Sequence, residues 1–121
     1  MFILNHKLNV ELDQKELAEI ECYAEKCGLD IEGVLFLRNN GLTWNGNVAC
    51  FSMMYKNTVF FCGDAPIFRA FPAIAHELKH REQLKRIGFV KYAILANPLC
   101  RKWTIEPEAY AEQDRINLEL A

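Results

Sequence analysis

Two histidines four residues apart, with a glutamate directly after the first, stand in the stretch Ala75-His76-Glu77-Leu78-Lys79-His80-Arg81. On a helix, successive residues turn by about 100°, so the two imidazoles project nearly one above the other and Glu77 lies a short way round the same face. A divalent metal needs this arrangement from two nitrogen donors. Zinc takes neutral imidazole readily, and hydrolytic zinc sites use three protein ligands while keeping one position for water. The ion lowers the pKa of that water, and a glutamate beside the first ligand can take the proton and pass it to a leaving amine. The expected cofactor is therefore Zn2+, with His76 and His80 as ligands and Glu77 as general base and acid.

The competing reading is a solvated surface helix, and the residues around the motif argue against it. Ala70, Ala73, Leu84 and Ile87 share the stripe that carries His76, Glu77 and His80, and Phe71, Ile74 and Leu78 form an adjacent apolar stripe. Lys79, Glu82, Gln83 and Arg86 collect on the opposite side and mark the expected water-facing surface. The motif thus points inward, where ionisable groups need partners. Pro72 fits the first turn of this helix and Gly88 its end.

The elements that must hold the helix follow from the rest of the chain. At 121 residues, half of them hydrophobic and a quarter charged, the sequence predicts a single domain over 1–121. The net charge of −2 gives no electrostatic argument for nucleic acid or an anionic membrane surface. No apolar run reaches the length of a membrane span, so the expectation is a soluble, cytoplasmic protein. Five cysteines, an odd number with no CxxC pair, exclude a disulfide framework or a cysteine zinc cage. Cys50 and Cys62 fall where they could face each other across a hairpin, but the residues read as small, reduced and apolar core positions.

Residues 2–12 alternate loosely and suit a short leading strand. Its His6 reads as a surface side chain. Asp13 and Glu16 form a capping-box start for a helix that ends at Gly28, with Leu17, Ile20, Cys22 or Ala24, and Cys27 as its apolar positions. This helix serves as a cover for the core. Asp30 is placed to cap a second helix stopped at Asn40-Gly41, with a strand over Gly33–Leu37 as the alternative. Residues 42–62 read as a three-stranded antiparallel meander, with a tight Asn45-Gly46 turn in its first hairpin. Its edge suits an extended peptide, although most of its aromatic side chains serve simply to pack on the motif helix. Residues 89–96 form a short apolar helix expected to pack in the core, from which Tyr92 has a minor claim as a substrate-side hydroxyl. A last helix, capped by Thr104 and with Pro107 in its first turn, runs on through Ile116, Leu118 and Leu120.

A third ligand must come from outside the motif. No histidine follows His80, so a three-histidine site requires His6. The acidic start of the last helix supplies the alternative, Glu106 or Glu108, which lie about 200° apart and so cannot both face the ion.

His76-Glu77-x-x-His80 followed by Glu106-x-x-Ala109 resembles the gluzincin pattern, in which a glutamate on a later helix completes the zinc site. The chain is similar in particular to the minigluzincins, small soluble relatives of the catalytic domains of CAAX-processing and HtpX-type peptidases. The resemblance covers roughly the last 80 residues. It implies an α+β, zincin-like fold in which the antiparallel β-meander packs on the HExxH helix and further helices. It implies a zinc metallopeptidase acting on a peptide or protein, with Glu106 as the third ligand, and a terminal segment lying in the cleft where such an enzyme is latent. Tyr110 stands where the family has an acid, in doubt as a partner for a ligand histidine. Glu108, followed by Ala111 and Glu112 at the same offsets, is the alternative ligand. The reading from another class is a non-catalytic, zinc-stabilised binding or structural module, in which the ion staples a chain with a small core.

Overall fold

A computed structural model describes residues 6–42, 50–53 and 57–120. Its elements are β1 (Asn9–Glu11), α1 (Gln14–Cys27), β2 (Leu35–Asn39), β3 (Cys50–Met53), β4 (Thr58–Cys62), α2 (Ile67–Ile87), α3 (Phe89–Leu95) and α4 (Glu106–Leu120). The fold is α+β.

α1 begins and ends as its sequence dictates. Asp13 accepts from the Glu16 N–H at 2.8 Å and Glu16 reaches back to the Asp13 N–H at 3.3 Å. Gly28, in the left-handed region at φ 69°, closes the helix by donating to the carbonyls of Ala24 and Glu25. Ile20, Ala24 and Cys27 are buried beneath it. Cys22, the alternative to Ala24, is exposed.

The stretch after α1 is a strand rather than the helix that Asp30 was expected to cap. Asp30 instead accepts from the Glu32 N–H at 3.0 Å, a local turn that needs no helix. Gly33 at φ 77° then redirects the chain into β2. Pairing on both sides stabilises β2: antiparallel to β1, with Val10 opposite Arg38, and parallel to β4, with Leu37 opposite Phe60. The sheet is consequently mixed and four-stranded, in the order β1-β2-β4-β3, and not an antiparallel meander. Of the expected meander, the antiparallel β3–β4 pair is present. Its first strand and the Asn45-Gly46 turn lie outside the described residues, as do residues 2–5 of the leading strand. Cys50 faces Phe61 rather than Cys62 in this register.

β4 is the spine. Every residue from Thr58 to Cys62 is buried, and the strand runs through a short turn into α2. Arg38 fixes that turn. Its guanidinium pairs with Glu16 at 2.6 Å and donates to the carbonyls of Cys62 at 3.0 Å and Ala65 at 2.6 Å, joining α1, β2 and the start of α2.

α2 starts at Ile67, so Pro72 lies inside the helix rather than in its first turn as expected. Proline has no N–H for the Phe68 carbonyl, a local cost that burial of Phe71, Ile74 and Ala75 offsets. Gly88, at φ 86° and ψ 158°, breaks the helical path and starts α3. α3 is a helix as expected but contributes nothing to the core: none of its residues is buried. α4 docks on α2 through Ala109 and Ile116, whereas Leu118 is exposed. Thr104 does not cap α4, because its hydroxyl is turned to the carbonyls of Leu95 and Cys100.

Candidate metal centre

α2 and α4 bring together the side chains that the spacing singled out. His76 and His80 are both buried on α2, their rings 4.9 Å apart and nearly perpendicular. Glu106, at the first position of α4, places Oε1 2.6 Å from Nε2 of His80 and 3.3 Å from Nε2 of His76. These three residues form a group able to hold a metal ion. Donor atoms around a tetrahedral zinc lie about 3.3 Å apart for bonds of ~2.0 Å. The His76–Glu106 separation matches this, and the 2.6 Å between His80 and Glu106 is shorter and would have to open to admit an ion. Nε2 of His80 adds a sharper indication. It is buried and has no partner in hydrogen-bond geometry, although a carboxylate oxygen lies so close.

The outer nitrogens explain which ring atom is free. Nδ1 of His80 lies 2.9 Å from Oε1 of Gln83, and Nδ1 of His76 lies 3.0 Å from Oε1 of Gln113. An amide oxygen only accepts, so each Nδ1 carries a proton. Nε2 of His80 is then left with its lone pair, whereas Nε2 of His76 lies in hydrogen-bond geometry with Glu106 at 3.3 Å. Gln83 is itself anchored, donating to the Ile105 carbonyl at 2.9 Å and to Glu108 at 3.2 Å. Burial lowers the His80 pKa, only partly countered by the Gln83 hydrogen bond and the Glu106 charge, so the ring is held neutral, the form that binds metal.

Gln83 was expected on the water-facing side of α2, yet it is buried. The helix is covered on that side by the start of α4, which the periodicity of α2 alone does not reveal. Gln113 carried no sequence signal beyond lying seven residues after Glu106, two turns along the same face. Tyr110, standing where the resemblance called for an acid, packs edge-on against His76 at 4.5 Å, and Gln113 occupies the hydrogen-bonding role.

Glu108 is turned away from the pair. It accepts from Arg86 at 3.1 Å and lies 3.9 Å from Lys79. Burial acts to raise its carboxyl, but the hydrogen bonds of Arg86 and Gln83 and the charges of Arg86 and Lys79 outweigh that and hold it below the usual value. His6 is exposed and lies against Phe60, outside the group.

Glu77 sits beside the three donors with no hydrogen-bond partner among the described residues. Burial, reinforced by the Glu106 charge and relieved in part by Arg101, raises its pKa to about 8. Arg101 lies 3.6 Å from Glu106 and, with Lys102, Pro107 and Tyr110, lines a cleft of about 400 Å³ against that carboxylate. Burial also raises the Tyr92 hydroxyl, which senses the charges of Arg101, Glu77 and Glu106.

No protein-family model, curated protein or solved structure matches the chain, so the chemistry of this centre is read from its own residues.

Proposed function

We propose that the chain is a small zinc-dependent metallopeptidase of gluzincin type on a minimal zincin-like scaffold, with Glu77 as general base and acid. The observation that carries this reading is the convergence of two imidazole Nε2 atoms and the Glu106 carboxylate next to the half-buried Glu77, which has no hydrogen-bond partner among the described residues. Two neutral imidazoles and one carboxylate suit zinc among the common divalent ions. When bound, the ion supplies Lewis-acid polarisation of a peptide carbonyl and makes water more acidic.

The chain's own residues supply the rest. Gln83 and Gln113 hold the two rings in one tautomer and orientation. Burial keeps Glu77 largely protonated near neutral pH in the metal-free protein. A cation held by the neighbouring donors would lower its pKa, and the ionised form would accept a proton and return it to the departing amine. Arg101 sets a positive charge at the mouth of the cleft, where negative charge develops on the scissile carbonyl oxygen. β3, at the edge of the sheet among the described residues, would offer main-chain groups to an extended peptide.

The test combines metal analysis with cleavage of a peptide library by wild type and Glu77→Gln. Stoichiometric zinc in both proteins, with hydrolysis confined to wild type, is the expected result. Absence of zinc from both, or equal cleavage by both, overturns it. A second reading is favoured by the way the three donors tie α2 to α4: a zinc-stabilised module without turnover. It predicts a large fall in melting temperature on chelation and no hydrolysis of any peptide.

A further inference from the structure

α3 is built inside out for a helix facing water. Phe89, Val90, Ala93 and Ile94 fall within about 140° of one another around its axis, and this apolar side is the one turned outward. Phe89 is 69 % exposed, Val90 73 % and Ile94 61 %, while Tyr92 and Leu95 on the opposite side are half-buried. The chain that follows adds Leu99 and Trp103, both more than 70 % exposed. Scattered apolar residues on a surface need no explanation, but a whole exposed helix face, followed along the chain by an exposed leucine and tryptophan, does.

The charges of the same segment are one-sided. No aspartate or glutamate lies between Glu82 and Glu106, whereas Lys85, Arg86, Lys91, Arg101 and Lys102 all fall there. Arg86 is paired with Glu82 and Glu108, and Arg101 with Glu106. Lys85 and Lys91 have no carboxylate partner among the described residues, and the Lys102 ammonium lies 5.8 Å from the centre of the Trp103 ring. The overall charge of −2, which gave no reason to expect an anionic surface as partner, therefore conceals a basic segment.

We propose that α3 and the chain through Trp103 dock on an anionic lipid surface. Val90, Ile94, Leu99 and Trp103 enter the boundary between headgroups and acyl chains, and Lys91 and Lys102 lie at the level of the phosphates. Tryptophan, aliphatic side chains and lysines together are the composition that settles at such a boundary. The binding is peripheral, since no described helix is long and apolar enough to cross a membrane. A nucleic acid would match the lysines but gives three aliphatic side chains nothing to bury against. A second copy meeting the same face would bring like charges together. Arg101 and Lys102 also line the cleft at Glu106, so docking would bring that cleft close to the lipid. The proposal does not depend on the ion or on hydrolysis.

The full chain is tested by flotation with vesicles of phosphatidylcholine alone and with phosphatidylserine added. Binding to the anionic vesicles, at least about tenfold stronger than to the neutral ones and weakened by salt, is the expected result. Val90→Asp and the double variant Lys91→Glu/Lys102→Glu lower it by about tenfold or more, while Lys15→Glu on exposed α1 leaves it unchanged. Brominated lipid quenches the tryptophan emission of wild type but not of Trp103→Phe, which retains Trp44. All substituted side chains are exposed, and circular dichroism verifies that the variants fold. Failure to float with anionic vesicles overturns the proposal, as does equal binding to neutral ones or equal loss in Lys15→Glu. A solution dimer abolished by Val90→Asp, without vesicle binding, assigns the face to a second copy instead.

Discussion

His80 and Glu106 meet at 2.6 Å, nitrogen to oxygen, without the alignment of a hydrogen bond. A buried nitrogen left in that state costs about 1–3 kcal/mol unless something else satisfies it. A cation between the two converts that cost into a bond to each. Glu106→Gln should therefore weaken zinc binding by more than the ten- to hundredfold typical of losing an outer partner. Glu108→Gln should leave affinity within a few-fold of wild type, since its carboxylate serves Arg86 and Gln83. Competition titration with a chromogenic chelator measures both. Equal losses in the two variants would remove Glu106 from its special position.

The two glutamines behind the histidines separate orientation from stability. Gln83→Leu and Gln113→Leu should each lower zinc affinity by about ten- to hundredfold, because each frees a ring to turn. Gln83→Leu should also destabilise the metal-free protein, by about 1–3 kcal/mol and more than Gln113→Leu, because it strips the Ile105 carbonyl as well as an imidazole nitrogen of its partner. Denaturant unfolding in the presence of a chelator distinguishes the pair.

Glu77 gives the metal-free protein a characteristic pH response. Its carboxyl titrates near 4.5 when unfolded and at about 8 when folded. Between those values the unfolded chain gives up a proton that the folded chain retains, so stability falls as pH rises through that window and is level below it. The loss amounts to several kcal/mol by the upper end, at about 1.4 kcal/mol per unit. Glu77→Gln should abolish this part of the slope, leaving it more stable than wild type at high pH and little different at low pH. His80 titrates in both proteins, so their difference isolates Glu77. Parallel melting curves across the range would contradict the burial assigned to it.

Arg38 acts at a distance from the metal centre. Arg38→Ala removes the Glu16 pair and leaves the Cys62 and Ala65 carbonyls without their donor, at a cost of about 2–4 kcal/mol. Arg38→Lys should recover only part, since an ammonium cannot reproduce the fork that reaches both sides. Zinc affinity of the folded variants should be unchanged. Urea unfolding beside a chelator titration reads the two effects separately.

How much of this was legible in the sequence varies with the range of the interaction that decides it. The capping box at Asp13 and Glu16, the stop at Gly28 and the His76/His80 pair depend on near neighbours and are visible as patterns. The stretch 33–39 is not decided locally. Its apolar residues suit a helix as well as a strand, and the parallel pairing with β4 settles it. α3 misleads for a related reason: an apolar helix reads as core, whereas here its apolar side faces out. Between Glu106 and Glu108, the offsets alone do not decide. The docking of α4 does, by presenting one carboxylate to the histidines and the other to Arg86.

The three donors come from two helices, Glu106 standing 30 positions after His76 and 26 after His80, with α3 between them. Until α4 seats, the chain can offer an ion only a two-nitrogen grip. If an ion is held there, whatever loosens α4 weakens that hold, and the ion tightens α4 in return through the same coupling. Metal affinity, followed across variants of α4 that touch no ligand, thus becomes a gauge of how firmly that helix is seated.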